Sequence, residues 1–377
     1  MNIPLSEPEI TDSDIDEIVS VLRSSRLSLG PKLREFEDLV GEFVEQPHAI
    51  GVSSGTAGLH VCLHAMGIGE GDEVIVPSFT FIAAANAIRY VNATPVFVDI
   101  EGTTLNLDPA LIEAAITAKT RAIMVVHTFG FSANMGAIMA LARRHKLRVV
   151  EDACEAIGAR YNGRRVGTFG DAAVFAFYPN KQITTGEGGM IVTGDAGLAR
   201  ELRALRNQGR YPSDSWHQHS IVGFNYRLSE INAALGCAQM KRLESILERR
   251  AEVAGRYRAA LGGQHGMVLP EDAWPGCQVS WFVYVVRLPR GYLQAHRDEV
   301  VERMGKRGIQ CGRYFAPIHT QAAYKDAALR FALPVTEYES ERTVALPFFT
   351  GMSEKQTFEV SESLIDIVRS IGARDDL

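Results

Sequence analysis

Lys181 stands in Tyr178-Pro179-Asn180-Lys181-Gln182-Ile183-Thr184-Thr185-Gly186-Glu187-Gly188-Gly189, between an apolar run and a glycine-rich turn. An amine so placed has two readings: a lysine in a surface loop, or a nucleophile that condenses with a carbonyl cofactor. It is not a Walker A lysine, because it precedes the glycines. A second candidate is Glu151-Asp152-Ala153-Cys154-Glu155, directly after the apolar Leu147-Arg148-Val149-Val150. A carboxylate at a strand end can hold a protonated ring nitrogen, and it can equally cap a helix. The third is Ser53-Ser54-Gly55-Thr56-Ala57-Gly58 ahead of helical residues. Small residues opening a helix present free amides and the positive dipole end, which suit a phosphate; a plain tight cap has the same composition. The fourth is Gly223-Phe224-Asn225-Tyr226-Arg227 before a long helical stretch. Its Asn and Arg suit a phosphate or carboxylate, or simply a turn with a charge at a helix start.

The elements around these residues follow a pattern. Apolar runs at 73–77, 95–99, 121–127, 147–151, 171–177 and 189–193 alternate with helical periodicity near 80–91, 109–118, 134–145 and 195–206. Continuous apolar strands separated by helices make a mostly parallel sheet covered on both faces. Functional residues in such sheets gather at the carboxyl ends of the strands, which is where the candidates fall. Asp108-Pro109 and Asn134 read as helix starts. Ile15, Ile18, Val19 and Leu22 mark an amphipathic helix over 12–25, and Leu33, Phe36, Leu39, Val40 and Phe43 a second one. One long helix is expected at 228–250, a strand at 279–288 and helices near 293–307 and 353–371. The change of spacing after about 250 predicts a smaller C-terminal domain.

Composition narrows the classes. The 377 residues are 46% hydrophobic and 22% charged with net charge −6, an ordinary globular balance without a basic footprint for nucleic acid. No run of about 18 apolar residues suggests a membrane span. The start MNIPLSEPEI has neither the basic nor the apolar region of a secretory signal. Five cysteines in no C-x-x-C pair fit a reducing compartment, and no metal site is expected. Gly67-Ile68-Gly69-Glu70-Gly71-Asp72 lacks dinucleotide-loop spacing and precedes a strand instead of following one. No G-x-S-x-G marks a hydrolase elbow. His127 is read as a packing residue. Trp216, His217 and His219 lie in a polar stretch that reads either as a loop at a substrate mouth or as a solvated excursion.

Taken in order, SSGTAGLH (53–60), GDEVIVPSFTFIAAANAI (71–88), PVFVDI (95–100), TRAIMVVHTFG (120–130), EDACEAIGA (151–159), FYPNKQITTGEGGM (177–190), GFNYRLSEINAALG (223–236) and YFAPIH (314–319) resemble the DegT/DnrJ/StrS-type sugar aminotransferases. These are a branch of the fold-type I pyridoxal-phosphate enzymes, and the match runs over almost the whole chain. The resemblance implies an α/β fold: a large domain with a mostly parallel seven-stranded sheet between helices, and a smaller α/β C-terminal domain. The division expected is 1–250 and 251–377. It implies that Lys181 forms the Schiff base with pyridoxal 5'-phosphate and that Asp152 pairs with the pyridine nitrogen. Phe81 would lie against the ring face, Gly55 and Thr56 would bind the phosphate, and Glu155 would stand near the phenolic oxygen. Asn225 would reach the same phosphate from a partner subunit, which makes a homodimer necessary. Gly30, Arg313, Tyr314 and His319 are the expected substrate residues.

The implied activity moves an amino group from glutamate, through pyridoxamine phosphate, to a nucleotide-linked sugar ketone of the 4-keto-6-deoxy kind. It would serve bacterial glycan or amino-sugar biosynthesis in the cytoplasm. Relatives acting as dehydratases carry His where Lys181 stands, which favours transamination here. One departure is Ala176, where many relatives carry a serine whose hydroxyl touches the phosphate. The rival readings are an aminotransferase of a non-nucleotide ketone and a catalytically altered or regulatory relative.

Overall fold

A computed structural model of the chain describes residues 2–262, 265–271, 276–325 and 329–375. Helices α1 (Asp12–Arg23) and α2 (Pro31–Val44) lead into β1 (His48–Val52) and α3 (Gly55–Ala65). There follow β2 (Glu73–Pro77), α4 (Ala83–Tyr90), β3 (Thr94–Val98), α5 (Pro109–Ala115), β4 (Thr120–Val126), α6 (Met135–His145) and β5 (Arg148–Asp152). A small ribbon, β6 (Arg160–Tyr161) and β7 (Arg164–Arg165), precedes β8 (Ala172–Ala176), β9 (Gly189–Thr193) and α7 (Ala196–Arg206). Then come α8 (Glu230–Met240) and α9 (Leu243–Leu261). The remainder is β10 (Cys277–Gln278), β11 (Tyr284–Arg287), α10 (Gln294–Lys306), α11 (Pro334–Ser340), β12 (Thr343–Leu346) and α12 (Glu354–Asp375).

The central sheet has seven strands in the order β1-β9-β8-β5-β4-β2-β3, and only β9 runs against the others. The sequence reason is direct. β2 (Glu-Val-Ile-Val-Pro) and the run Ala122–Val126 of β4 are buried throughout, as a sheet covered on both faces requires. The helix starts read from the sequence are present: Asp108 accepts from the Ala110 amide at 2.9 Å and Asn134 from that of Ala137 at 3.2 Å. Register levels the strand ends at the site, with Asp152 opposite Val126 of β4 and Val174 of β8.

The structure departs from the sequence reading in three places. The helix expected at 228–250 is two, because Arg242 leaves helical geometry (φ −113°, ψ 1°) between α8 and α9. The strand expected at 279–288 is ordered as a ladder only over β11, where it pairs with β12, a short strand the sequence reading missed. β1 was missed as well; it is five residues long, contains Gly51 and pairs only with β9. In α1 Asp14 and Val21 are buried, while Ile15 and Leu22 of the apolar stripe are about half exposed.

The apolar core around β11 and β12 draws on distant parts of the chain. Ile3, Phe129 and the α9 residues Val253, Tyr257 and Leu261 pack with Trp281, Phe282 and Val344. Among the described residues no helix is long and apolar enough to cross a membrane.

Candidate active site

Two carboxylates, Asp152 and Glu155, and one amine, Lys181, gather near the carboxyl ends of β5 and β8. Lys181 sits in the turn after β8, its amide donating to the Tyr178 carbonyl at 2.9 Å. Its Nζ lies 3.6 Å from Glu155 Oε1 and 4.0 Å from the centre of the Phe282 ring. Glu155 is buried, and its Oε2 accepts from the Phe129 amide at 2.8 Å. Burial pushes the Glu155 carboxyl above its usual range, against the pull of the Lys181 charge and that amide.

Asp152 ends β5 and is buried. Its Oδ1 accepts from the Cys154 amide at 3.2 Å, and among the described residues no cation lies within 4 Å of it. Burial pushes this carboxyl up too; Cys154 and the charges of Lys181 and His127 offset that only in part. Glu151, its neighbour on the opposite face of the strand, is in the contrary state. It accepts from the Gly167, Phe169 and Gly170 amides at 2.8–2.9 Å and from His127 at 3.0 Å. Burial pushes Glu151 up, but His127 and the amides outweigh it and hold the carboxyl below its usual range. His127 Nδ1 accepts from the Ala133 amide at 3.1 Å, which leaves the proton on Nε2, facing Glu151. His127 is thus a structural partner, in agreement with its sequence reading.

The start of α3 borders the same place. Ser54 caps the helix by accepting from the Ala57 amide at 3.1 Å, and the Gly55 and Thr56 amides have no acceptor among the described residues. A Cβ on Gly55 would come within 2.8 Å of both Cys154 Sγ and Ala176 Cβ; one on Gly189 would come within 2.6 Å of the Ser54 backbone. The close approach of four segments therefore requires small residues at 55, 176 and 189. Phe81, just before α4, is 61% exposed.

The remaining candidates separate. Tyr314 joins the site: Asn180 hydrogen-bonds its hydroxyl, burial and the Glu155 charge push that hydroxyl up, and its ring stacks with Phe129 at 6.4 Å. Arg313 is exposed and pairs with Asp298 on α10 at 3.0 Å. His319 is tied to Ser78 after β2 at 2.7 Å and to Glu337 at 3.3 Å, so its ring has a structural role in this chain. Gly30 packs against the Glu230 carboxylate and lines a cleft of about 560 Å³ with Arg34, Glu37, Arg203 and Arg206, none of which touches Lys181. Asn225 is exposed, on a segment whose Tyr226 carbonyl accepts from the Ser53 amide at 2.9 Å.

Sequence reasoning missed Phe282, read only as a strand residue, and the structural role of Glu151. It also passed over His60 and His64, which stand four residues apart on α3. They pack against Phe224 and Tyr226, and no group of three or more metal-ligating side chains occurs among the described residues.

Could these residues hold pyridoxal phosphate? The donor set fits: a largely buried amine and, among the described residues, a buried carboxylate lacking a cation and unpaired amides at a helix start. The sequence pattern of the DegT/DnrJ/EryC1/StrS aminotransferases matches residues 8–365. GDP-perosamine synthase of Caulobacter vibrioides is 41% identical over 377 residues, 100% of this chain and 98% of that protein. The crystal structure of DesV from S. venezuelae, in complex with a ketimine intermediate, superposes with a TM-score of 0.91 at 38% identity, covering 97% of this chain and 98% of that one. Spr1654 of Streptococcus pneumoniae, a putative sugar aminotransferase solved in its PMP form, gives a TM-score of 0.95 at 27% identity with 100% of both chains covered.

Proposed function

Because the chain belongs to the DegT/DnrJ/EryC1/StrS aminotransferase family, we propose that its largely buried lysine, with Asp152 and Glu155, serves the transfer of nitrogen to a nucleotide-linked sugar ketone. The chain is a pyridoxal-phosphate-dependent aminotransferase in the fold-type I architecture. The observation that carries the site assignment is Asp152: among the described residues, a buried carboxylate without a cation within 4 Å, at the strand ends that also bring Lys181 and Glu155 together.

Pyridoxal phosphate, when bound, supplies an aldehyde that receives the amino group and a ring that accepts electrons from the donor's α-carbon. Lys181 would hold that aldehyde, and its amine, once free, would serve as the proton-transfer group for the amino donor, general acid–base catalysis at short range. Asp152 keeps the ring nitrogen protonated, and the opposite charge relieves a carboxylate that burial disfavours. Glu155 would hold the phenolic oxygen, Phe81 the ring face, and the Gly55 and Thr56 amides with the Thr56 hydroxyl the phosphate at the positive end of α3. Tyr314 stands between this centre and the sugar, with Arg313, His319 and Gly30 toward the nucleotide.

The donor is glutamate and the acceptor a 4-keto-6-deoxy sugar. The name of the Caulobacter relative supports a nucleotide-linked sugar. The active species is a homodimer in which Asn225 reaches the partner's phosphate. Asn225 is exposed, and Val222 and Trp216 nearby are 85% and 74% exposed, as are the apolar residues of α1 in part; such apolar surface marks an interface. Five free cysteines support a reducing compartment, the cytoplasm.

The test is spectroscopic and chemical. The protein loaded with pyridoxal phosphate absorbs visible light, glutamate bleaches it, and a nucleotide-linked 4-keto-6-deoxy sugar restores the colour while an amino sugar appears by mass. Lys181→Ala lowers turnover by at least about 10⁴-fold. A Lys181→Ala enzyme of normal activity would overturn the assignment.

A further inference from the structure

The aromatic face under Lys181 belongs to the C-terminal core, and one buried arginine holds it there. Phe282 is buried, and its ring centre lies 4.0 Å from Lys181 Nζ. Arg250, on α9, is itself buried. Its Nε donates to the Trp281 carbonyl at 2.7 Å, one terminal nitrogen to the Phe282 carbonyl at 2.7 Å, and the other to Thr350 Oγ1 at 3.2 Å. Its guanidinium also lies 4.9 Å from the Phe348 ring centre. Among the described residues no carboxylate lies within 4 Å of Arg250, so its charge is balanced by these oxygens and that ring. Burial pushes the guanidinium below its usual range, a sign of how strongly the surroundings resist it.

A buried cation without a carboxylate is costly unless it organises its oxygens. Here the oxygens are the backbone of the residues that carry the ring. The preceding residue is pinned just as closely. The Ser280 amide donates to the Gly130 carbonyl at 3.0 Å, and its hydroxyl donates to the Ile157 carbonyl at 2.6 Å. Gln182, next to Lys181, donates to Ser280 Oγ at 2.9 Å and to the Glu155 carbonyl at 2.8 Å. Gly130 has a positive φ of 87°, and a Cβ there would run into the Ser280 carbonyl.

We propose that Phe282, hung from Arg250, is the resting place of the Lys181 amine whenever that amine is not covalently engaged. The two are positioning residues. The amine lies between a carboxylate and a ring face that both attract a cation, and Arg250 sets where the ring stands. This rests on Lys181 being the reactive amine, yet its test does not need turnover.

Lysine labelled with ¹³C is observed by NMR in the protein without cofactor, and the Lys181 signal is assigned by its loss in Lys181→Ala. Carbon and protons held over a ring face move upfield, so the wild-type signal is displaced from those of exposed lysines. Phe282→Leu returns it to their position. Arg250→Met moves it most of the way, and Arg250→Lys, which keeps one donor, moves it less. Thr350→Val removes a bond that does not reach the 281–282 backbone; it lowers the melting temperature and leaves the signal in place. In the loaded enzyme Phe282→Leu lowers kcat about 10-fold with the KM for glutamate within about 2-fold, as misplacement of a reacting group predicts. A wild-type signal at the exposed position, or one unmoved in Phe282→Leu, overturns the proposal even if Lys181→Ala is inactive. A shift in Thr350→Val equal to that in Arg250→Met removes Arg250 from it.

Discussion

Glu151 and Asp152 are adjacent on β5, equally hidden from solvent, and opposite in state. Glu151 receives three amides and an imidazole and is held below its usual range; Asp152 receives one amide at 3.2 Å and is pushed above its own. Strand alternation sends the two side chains to opposite faces of the sheet. On one face the carboxylate ties β5 to the 167–170 turn and to His127. On the other a charge is kept short of partners, which is how a site holds binding capacity for a cationic group it does not itself contain. The difference teaches that burial alone does not mark a functional carboxylate. The marker is burial without satisfaction.

The comparison breaks first at Asp152. Asp152→Asn lowers kcat about 10²-fold or more, because the ring nitrogen loses the charge that keeps it protonated. The same change stabilises the protein without cofactor by about 1–2 kcal/mol at neutral pH, since an unpaired buried charge is removed. The sign follows from the raised carboxyl. Its contribution to stability is present below the ordinary aspartate range and lost as pH rises through the folded value. The gap between variant and wild type therefore opens at neutral pH and closes in acid. Thermal unfolding across pH checks it; an Asp152→Asn protein less stable than wild type at neutral pH would place this carboxylate in the structural class with Glu151.

Glu151→Gln gives the converse. It costs about 2–4 kcal/mol of stability at neutral pH, because a carboxylate that accepts four hydrogen bonds is replaced by an amide with one accepting oxygen. Since this carboxyl is lowered, its stabilising contribution is present above the ordinary glutamate range and fades as pH falls through the folded value. The kcat of the folded fraction stays within about 3-fold of wild type, the scale of a change that leaves the reacting groups in place. Denaturant unfolding at two pH values and active-site titration separate the two effects.

How much of this could be read in the sequence follows the same division. Uninterrupted apolar runs told of a covered parallel sheet, and local caps such as Asp108 and Asn134 told where helices start, because those signals are contained in a few adjacent residues. The cluster of Lys181, Asp152 and Glu155 was legible because strand-end positions converge in such a sheet. Phe282 and Arg250 were not: Arg250 reaches the Trp281 and Phe282 carbonyls across 31 and 32 residues, Phe282 reaches Lys181 across about a hundred, and nothing in Trp281-Phe282-Val283 distinguishes a plate from a plain strand. The Ser78 contact of His319 was hidden for a related reason: nothing in YFAPIH points to a partner 241 residues away. The stripe of α1 read as amphipathic, but periodicity gives a face and not the body that covers it, and Ile15 and Leu22 stand about half exposed.

The smallest effect sharpens the comparison at the other end of the site. Ala176 is partly buried at the end of β8, and its Cβ faces the start of α3 closely enough that a Cβ on Gly55 would lie 2.8 Å away. A hydroxyl there adds one donor beside the free Gly55 and Thr56 amides. Ala176→Ser is expected to tighten the phosphorylated cofactor about 3- to 10-fold, the worth of one ordinary added hydrogen bond, and to leave dephosphorylated pyridoxal unchanged. Dissociation constants for the two, measured by fluorescence on the protein without cofactor, check it. Tightening of both would mean that the serine acts through packing. No change in either would move the phosphate away from α3, leaving Asp152 as the only fixed point of the site.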